Sequence, residues 1–173
     1  MGKILNKVIE HYSAIFLIAT ILSFLWMFFY FQKPPLEAFL QSFLTWSVGV
    51  RGIIAFVANW IPPFCDMIAE AYGWPRGSSV QREIASAEGA FGILGILCNW
   101  VTGGFWIATL LGVAICWFLS ELKGLATIKI RQKNPEYSMN SNLHLGMFLD
   151  FLTSIAIFAC LIFNHFSDNL YIS

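Results

Sequence analysis

The chain has 173 residues, of which 58% are hydrophobic and only 12% are charged. Soluble globular domains carry roughly a quarter charged residues, so this composition excludes an ordinary soluble domain and indicates a membrane protein. Ten basic residues balance ten acidic ones, which gives no reason to expect a nucleic-acid partner.

The first two apolar segments cover residues 13–32 and 38–61. A hydrocarbon core about 30 Å thick requires about 20 helical residues, and residues 13–32 contain no charge. We predict an uncleaved first span, because the run is too long for a signal peptide and no A-x-A pattern follows it. Pro34 and Pro35 then break the helix. The second segment is more polar, so a re-entrant segment is an alternative to a full crossing.

Three further spans are predicted at residues 84–101, 105–122 and 144–163. A short amphipathic helix at 64–72 and a turn-forming GWPRGSS segment precede the third span, and the serines of that turn can cap it. The sequence TGG makes the next turn, and residues 123–142 form a polar loop. The prediction is an all-α polytopic membrane protein, a single domain over residues 1–173, with five transmembrane helices and short loops.

Lysines and arginines set the expected orientation, because cytoplasmic loops carry an excess of them. With five spans, eight of these residues fall on one side of the membrane and only Lys33 on the other. If residues 38–61 did not cross, Lys3 and Lys7 would be forced to the outer side, so the bias favours five spans. We predict a cytoplasmic N-terminus and a C-terminus outside. The eight residues are Lys3, Lys7, Arg76, Arg82, Lys123, Lys129, Arg131 and Lys133.

Three ionisable residues, Arg51, Glu88 and Asp150, lie inside predicted spans. Each costs at least about 2.5 kcal/mol by insertion scales, so such residues persist where something pairs with them. Helical rise places Arg51 about 15 Å below the cytoplasmic end of its span, and the two carboxylates about 7 Å below the same surface. An arginine side chain can extend several ångströms toward water. We therefore predict a polar cluster in the cytoplasmic half, either a lock between helices or part of a pathway.

Gln81 and Ala85 share a helical face with Glu88, because separations of four and seven residues return to the same side. Small residues make the third span nearly smooth, which lets another helix approach closely. They are Ala85, Ser86, Gly89, Ala90, Gly92 and Gly95. The fourth span offers Ala108, Gly112 and Ala114 as a matching surface.

Cofactor and metal sites are not predicted. The four cysteines form no CxxC, and the three histidines have no ligand spacing. Cysteine is a common small buried residue, so packing is the expected role of these thiols.

The segment DMIAEAYGWPRGSSVQRE, residues 66–83, followed by AEGAFGILG, residues 87–95, resembles a family of small bacterial integral membrane proteins of unknown function. The family signature runs from an aspartate through GWP-x-GS-P-F-Q-x-E-V-G-F-A-N into FG-x-LG, and the similarity covers residues 66–97. The resemblance implies a bacterial inner-membrane location, so the C-terminus that the positive charges place outside would be periplasmic. It adds Asp66, Gln81 and Glu83 as candidate site residues, and it brings no established activity.

Two departures from that signature affect the site. Ser79 and Val80 replace Pro-Phe, and Glu88 stands where the signature has asparagine. Because a neutral amide needs no cationic partner, we hypothesise that Glu88 is accompanied by a compensating charge, with Arg51 as the candidate.

Three classes of function fit the sequence. The leading one is a non-enzymatic membrane scaffold or accessory subunit with a buried polar cluster, Gln81 and Glu83 forming its cytoplasmic mouth. An oligomeric channel or transporter for an ion, proton or small solute would need a continuous polar path. A lipid-modifying enzyme would need an accessible carboxylate beside a histidine or hydroxyl, and no nucleophile motif is present. The expected partners are the lipid bilayer and either a second copy or another membrane protein.

Overall fold

The computed structural model describes residues 11–62, 64–72, 77–131, 148–159 and 161, with the backbone alone at 70–72, 80, 121 and 123–131. Over these residues every regular element is helical, and none is a strand. This agrees with the predicted all-α class.

The chain begins with a helical hairpin. Helix α1 (Tyr12–Tyr30) is followed by a turn in which Gln32 has a φ of 51°, and Pro35 occupies the first position of α2 (Pro35–Phe43). Proline suits that position because its missing N–H would lack a helical partner anyway. Helix α2 continues through a π-helical segment (Leu44–Val50) into α3 (Arg51–Trp60). Residues Pro35–Trp60 therefore form one helix of 26 residues, which contains all of the predicted second segment except its last residue, Ile61.

The next two helices confirm the predicted amphipathic helix and the predicted cap. Helix α4 covers Phe64–Tyr72, and α5 covers Ser79–Leu97. The Ser78 hydroxyl accepts a hydrogen bond from the backbone N–H of Gln81 at 3.2 Å, which satisfies one of the free donors at the helix start. Gly77 precedes it with a φ of 69°, a conformation that favours glycine.

Helix α6 (Gly104–Arg131) and helix α7 (Phe148–Ala159) complete the described fold. Gly103, with a φ of 70°, makes the predicted turn before α6. Two helices differ in their boundaries from the predicted spans. Helix α5 begins at Ser79 and ends at Leu97 rather than covering 84–101, and α6 continues to Arg131, into the predicted loop 123–142. Hydropathy locates apolar stretches, whereas backbone hydrogen bonding continues through polar residues of good helix propensity. The predicted fifth span, 144–163, lies partly outside the described residues.

Side-chain hydrogen bonds fix the antiparallel order of the first helices. The Thr20 and Ser47 hydroxyls lie 2.8 Å apart between α1 and the π-helical segment. Between the second helix and α5, Gln81 Nε2 donates to Asn59 Oδ1 at 3.1 Å. Thr45 Oγ1 donates to Asn99 Oδ1 at 3.0 Å near the other end. The chain thus reverses between consecutive long helices.

Glycines bring α5 against the second helix. A Cβ atom on Gly52 would lie 2.5 Å from the Glu88 carbonyl oxygen, and one on Gly95 would lie 2.6 Å from the Gly49 nitrogen. Gly92 is equally confined, 2.6 Å from the nitrogen of Ile53. The predicted close approach of the third span is therefore present, but its partner is the second helix. The surface predicted on the fourth span meets α5 differently, with Gly112 against the ring of Phe91.

The apolar core lies where the second helix, α6 and α7 meet. Leu44, Leu110, Val113 and Ala114 are nearly inaccessible, and Ile157 of α7 completes the contact. By length and composition, two described helices could cross a membrane, Tyr12–Tyr30 and Pro35–Trp60. Gly104–Ser120 and Phe148–Ala159 are shorter apolar helices.

Candidate functional site

An ion pair with two parallel hydrogen bonds joins α3 to α7. Arg51 Nη1 donates to Asp150 Oδ1 at 2.8 Å, and Nη2 donates to Oδ2 at 2.5 Å. The two side chains are only 14% and 13% exposed. A planar guanidinium matches the two oxygens of a carboxylate, so this geometry fixes orientation as well as distance. Arg51 therefore pairs with one of its two predicted partners.

Aromatic rings border the guanidinium. The Trp117 ring centroid lies 4.6 Å from Arg51 Cζ, and that of Tyr12 lies 5.6 Å away. Both distances fall within the range of a cation–π contact. The Tyr12 hydroxyl also donates to the Arg51 carbonyl oxygen at 2.5 Å, and the Ser13 hydroxyl donates to Asp150 Oδ2 at 3.4 Å. Helices α1 and α6 are thereby tied to the ion pair.

Glu88 of α5 lies beside the pair without being part of it. Its backbone carbonyl oxygen lies against Gly52, the residue that follows Arg51. Its Oε2 atom is buried and has no hydrogen-bond partner, the one such side-chain atom in the described part of the chain. Both terminal nitrogens of Arg51 bind Asp150. Arg51 therefore pairs with Asp150 and not with Glu88, the partner that the compensating-charge hypothesis gave it.

We call Tyr12, Arg51, Glu88, Trp117 and Asp150 the five-helix cluster, since each comes from a different long helical segment. The sequence pointed to the three charged members by their burial in apolar runs. It did not identify the two aromatic members. For Trp117 a signal existed: it lies five residues from the end of the predicted fourth span, about 7 Å deep, which is the depth predicted for Glu88 and Asp150.

The other predicted site residues lie apart from this cluster. Gln81 is 2% exposed, and its Nε2 donates to Asn59 Oδ1 and, at 2.7 Å, to the Cys65 carbonyl oxygen. It links α3, α4 and α5. Asp66 is half-buried on α4, with its Oδ1 3.9 Å from Cys65 Sγ. Glu83 is exposed on another face of α5.

Ala85 separates Gln81 from Glu88 along α5 and is fully buried. Gln81 is held by two hydrogen bonds from its amide nitrogen, so the face shared by these three residues is packed rather than open. Of its two polar members, Gln81 forms contacts between helices.

The chemistry available to the cluster follows from its groups. The guanidinium–carboxylate pair, joined by two hydrogen bonds, holds its helices in place. The buried oxygen of Glu88 can take up a proton or accept a hydrogen bond. The described residues include no group of three His, Cys, Asp or Glu side chains placed to hold a metal ion.

Comparison with known families gives a match over most of the chain. Residues 7–169 match the model of a family of unknown function, DUF6790. Searches of curated proteins and of solved structures return no match.

Proposed function

The chain belongs to the DUF6790 family of unknown function, and we propose that it is a five-span membrane protein acting as a non-enzymatic scaffold or accessory subunit. The observation that carries this proposal is the Arg51–Asp150 pair, which uses both guanidinium termini and both carboxylate oxygens between helices. Groups engaged in this way hold helices together and are not available to a substrate.

The distribution of side chains on α1 supports a membrane environment. The helix buries Thr20 completely, while Leu22 is 63% exposed and Phe29 is 72% exposed. A helix on the surface of a soluble protein shows the opposite arrangement, with its polar face outward. In lipid, apolar side chains face outward and polar side chains pair between helices.

Five crossings would place the turns at opposite surfaces, which cysteine labelling can test. We expect Thr102→Cys, in a chain whose native cysteines are replaced by serine, to react with an impermeant maleimide on intact bacterial cells. Ser79→Cys should react only after permeabilisation. Both positions are exposed. Labelling of both from the same side would contradict five spans.

A scaffold or accessory subunit should occur in an assembly larger than one chain. We expect native electrophoresis in mild detergent to show such an assembly, and Asp150→Asn to reduce it, because the variant loosens the helices that present the outer surface. Glu37→Gln, on an exposed pair, is the matched control. A wild-type protein that stays monomeric would contradict this function.

The unpaired Oε2 atom of Glu88 favours a second candidate, a proton channel or transporter. That function requires the reconstituted chain to dissipate a proton gradient across liposomes. The scaffold proposal predicts no such flux from the wild-type chain.

An enzymatic role has less support from the geometry. Asp150 lies beside the Ser13 hydroxyl, the arrangement that a general base and a hydroxyl would need. Both oxygens of Asp150 already accept from Arg51, which disfavours removal of a proton from Ser13.

A further inference from the structure

Glu88 is the one member of the five-helix cluster whose chemistry the scaffold does not use. The residue is half-buried, and its Oε2 atom is enclosed without a donor. Leaving a buried carboxylate ionised and unpaired is costly, and such a group takes up a proton instead.

The packing of α5 fixes the position of the Glu88 backbone. A Cβ atom on Gly52 would lie 2.5 Å from the Glu88 carbonyl oxygen. The next residue of α5, Gly89, packs on the Phe56 ring, and a Cβ atom on Gly89 would lie 2.9 Å from that ring. Gly52 directly follows Arg51. The glycine contact therefore holds the Glu88 backbone at the level of the ion pair.

The groups facing Glu88 determine the effect of its charge. The charged and titratable groups around Glu88 on the neighbouring helices are Arg51 of α3, Asp150 of α7 and Cys116 of α6. The two terminal nitrogens of Arg51 are already bound to Asp150. An ionised Glu88 would thus place two carboxylates beside one guanidinium.

We propose that Glu88 is a proton-binding site, and that its proton sets how Arg51 is shared between two carboxylates. With the proton bound, the Arg51 guanidinium pairs with the Asp150 carboxylate alone. When Glu88 releases the proton to water, its carboxylate competes with Asp150 for the guanidinium. Helical rise places Glu88 about 7 Å below the predicted cytoplasmic surface, and its proton exchanges with water from that side. This inference goes beyond the scaffold role and does not depend on it.

Infrared difference spectroscopy of the full chain in phosphatidylethanolamine–phosphatidylglycerol liposomes tests the site. At neutral pH the wild type should show the C=O stretch of a protonated carboxyl group, shifted in heavy water and lost as the pH is raised. Glu88→Gln should lack this band. Glu83→Gln, which alters an exposed carboxylate on the same helix, should keep it.

Absence of the band from the wild type, or its persistence in Glu88→Gln, would overturn the proposal. If Glu88→Gln fails to fold, Glu88→Asp provides the second variant, because it retains a carboxyl group at the site and should show a band with a shifted midpoint. An Asp variant that folds and shows no protonated carboxyl would also overturn it.

Trp117 reports the second half of the proposal, because its ring lies 4.6 Å from Arg51 Cζ. Its fluorescence should change with the same pH midpoint as the infrared band, and the change should be lost in Trp117→Phe and in Glu88→Gln. A fluorescence change that persists in Glu88→Gln would refute the sharing of Arg51. Neither measurement depends on the cysteine labelling or on the assembly that test the scaffold role.

Discussion

Arg51 and Asp150, 99 residues apart in the chain, form two parallel hydrogen bonds of 2.8 and 2.5 Å between the second and the last described helices. Tyr12 and Trp117 lie within cation–π distance of the same guanidinium. Contacts with these two residues thus connect α1, α3, α6 and α7. Glycine packing holds α5 against α3.

The glycine crossing can be tested by adding one methyl group. We expect Gly52→Ala to lower the free energy of unfolding by about 1–3 kcal/mol, because the new Cβ would lie 2.5 Å from the Glu88 carbonyl oxygen. Chemical denaturation in detergent measures this change. Gly104→Ala is the matched control, since no atom lies within 4 Å of its Cβ position. Equal effects of the two variants would contradict a tight crossing.

Gln81 should prove structural. We expect Gln81→Ala to destabilise the fold by about 1–3 kcal/mol, because it leaves the Asn59 side chain and the Cys65 carbonyl oxygen without their donor. Thermal unfolding in detergent measures the loss, with Glu83→Ala as an exposed control on the same helix. A stable Gln81→Ala variant with altered ion flux would instead favour the mouth of a pathway.

Raising the pH should destabilise the wild type through Glu88. In the unfolded chain this carboxyl ionises freely, whereas in the folded chain its buried oxygen has no donor. The folded state then binds more protons, so stability falls as the pH rises. We expect the melting temperature to drop between mildly acidic and mildly alkaline pH, and the drop to be smaller in Glu88→Gln. An unchanged drop in that variant, or its loss in the Glu83→Gln control, would contradict the prediction.

Local signals in the sequence predicted much of the helical order. Lys33-Pro34-Pro35 ended the first helix, and Ser78 capped α5, as expected from the chemistry of those residues. The continuation of α6 to Arg131 was not predicted, because polar residues of good helix propensity extend a helix beyond its apolar part. The end of α5 at Leu97, before the predicted 101, was not predicted either, because residues 98–101 are as apolar as the helix before them. The five-crossing topology remains a prediction.

The charged part of the cluster could be anticipated because depth along a helix follows from counting residues. The choice of Asp150 over Glu88 could not, since it depends on how each helix is rotated about its axis. That rotation is set by the contacts of Gly49 and Gly52 with α5, which no single helix reveals. The inward positions of Tyr12 and Trp117 depend on the same rotations.

A double-mutant cycle on Arg51 and Asp150 tests the central claim most directly. Free energies of unfolding would be measured by dodecyl sulfate titration for Arg51→Met, Asp150→Asn and the double variant, with Lys33→Met and Glu37→Gln as the exposed control pair. We expect each single change at the buried pair to cost about 3 kcal/mol. The double variant should cost less than the sum of the two by at least about 1 kcal/mol. Additive losses within about 0.5 kcal/mol would contradict a direct lock between these helices.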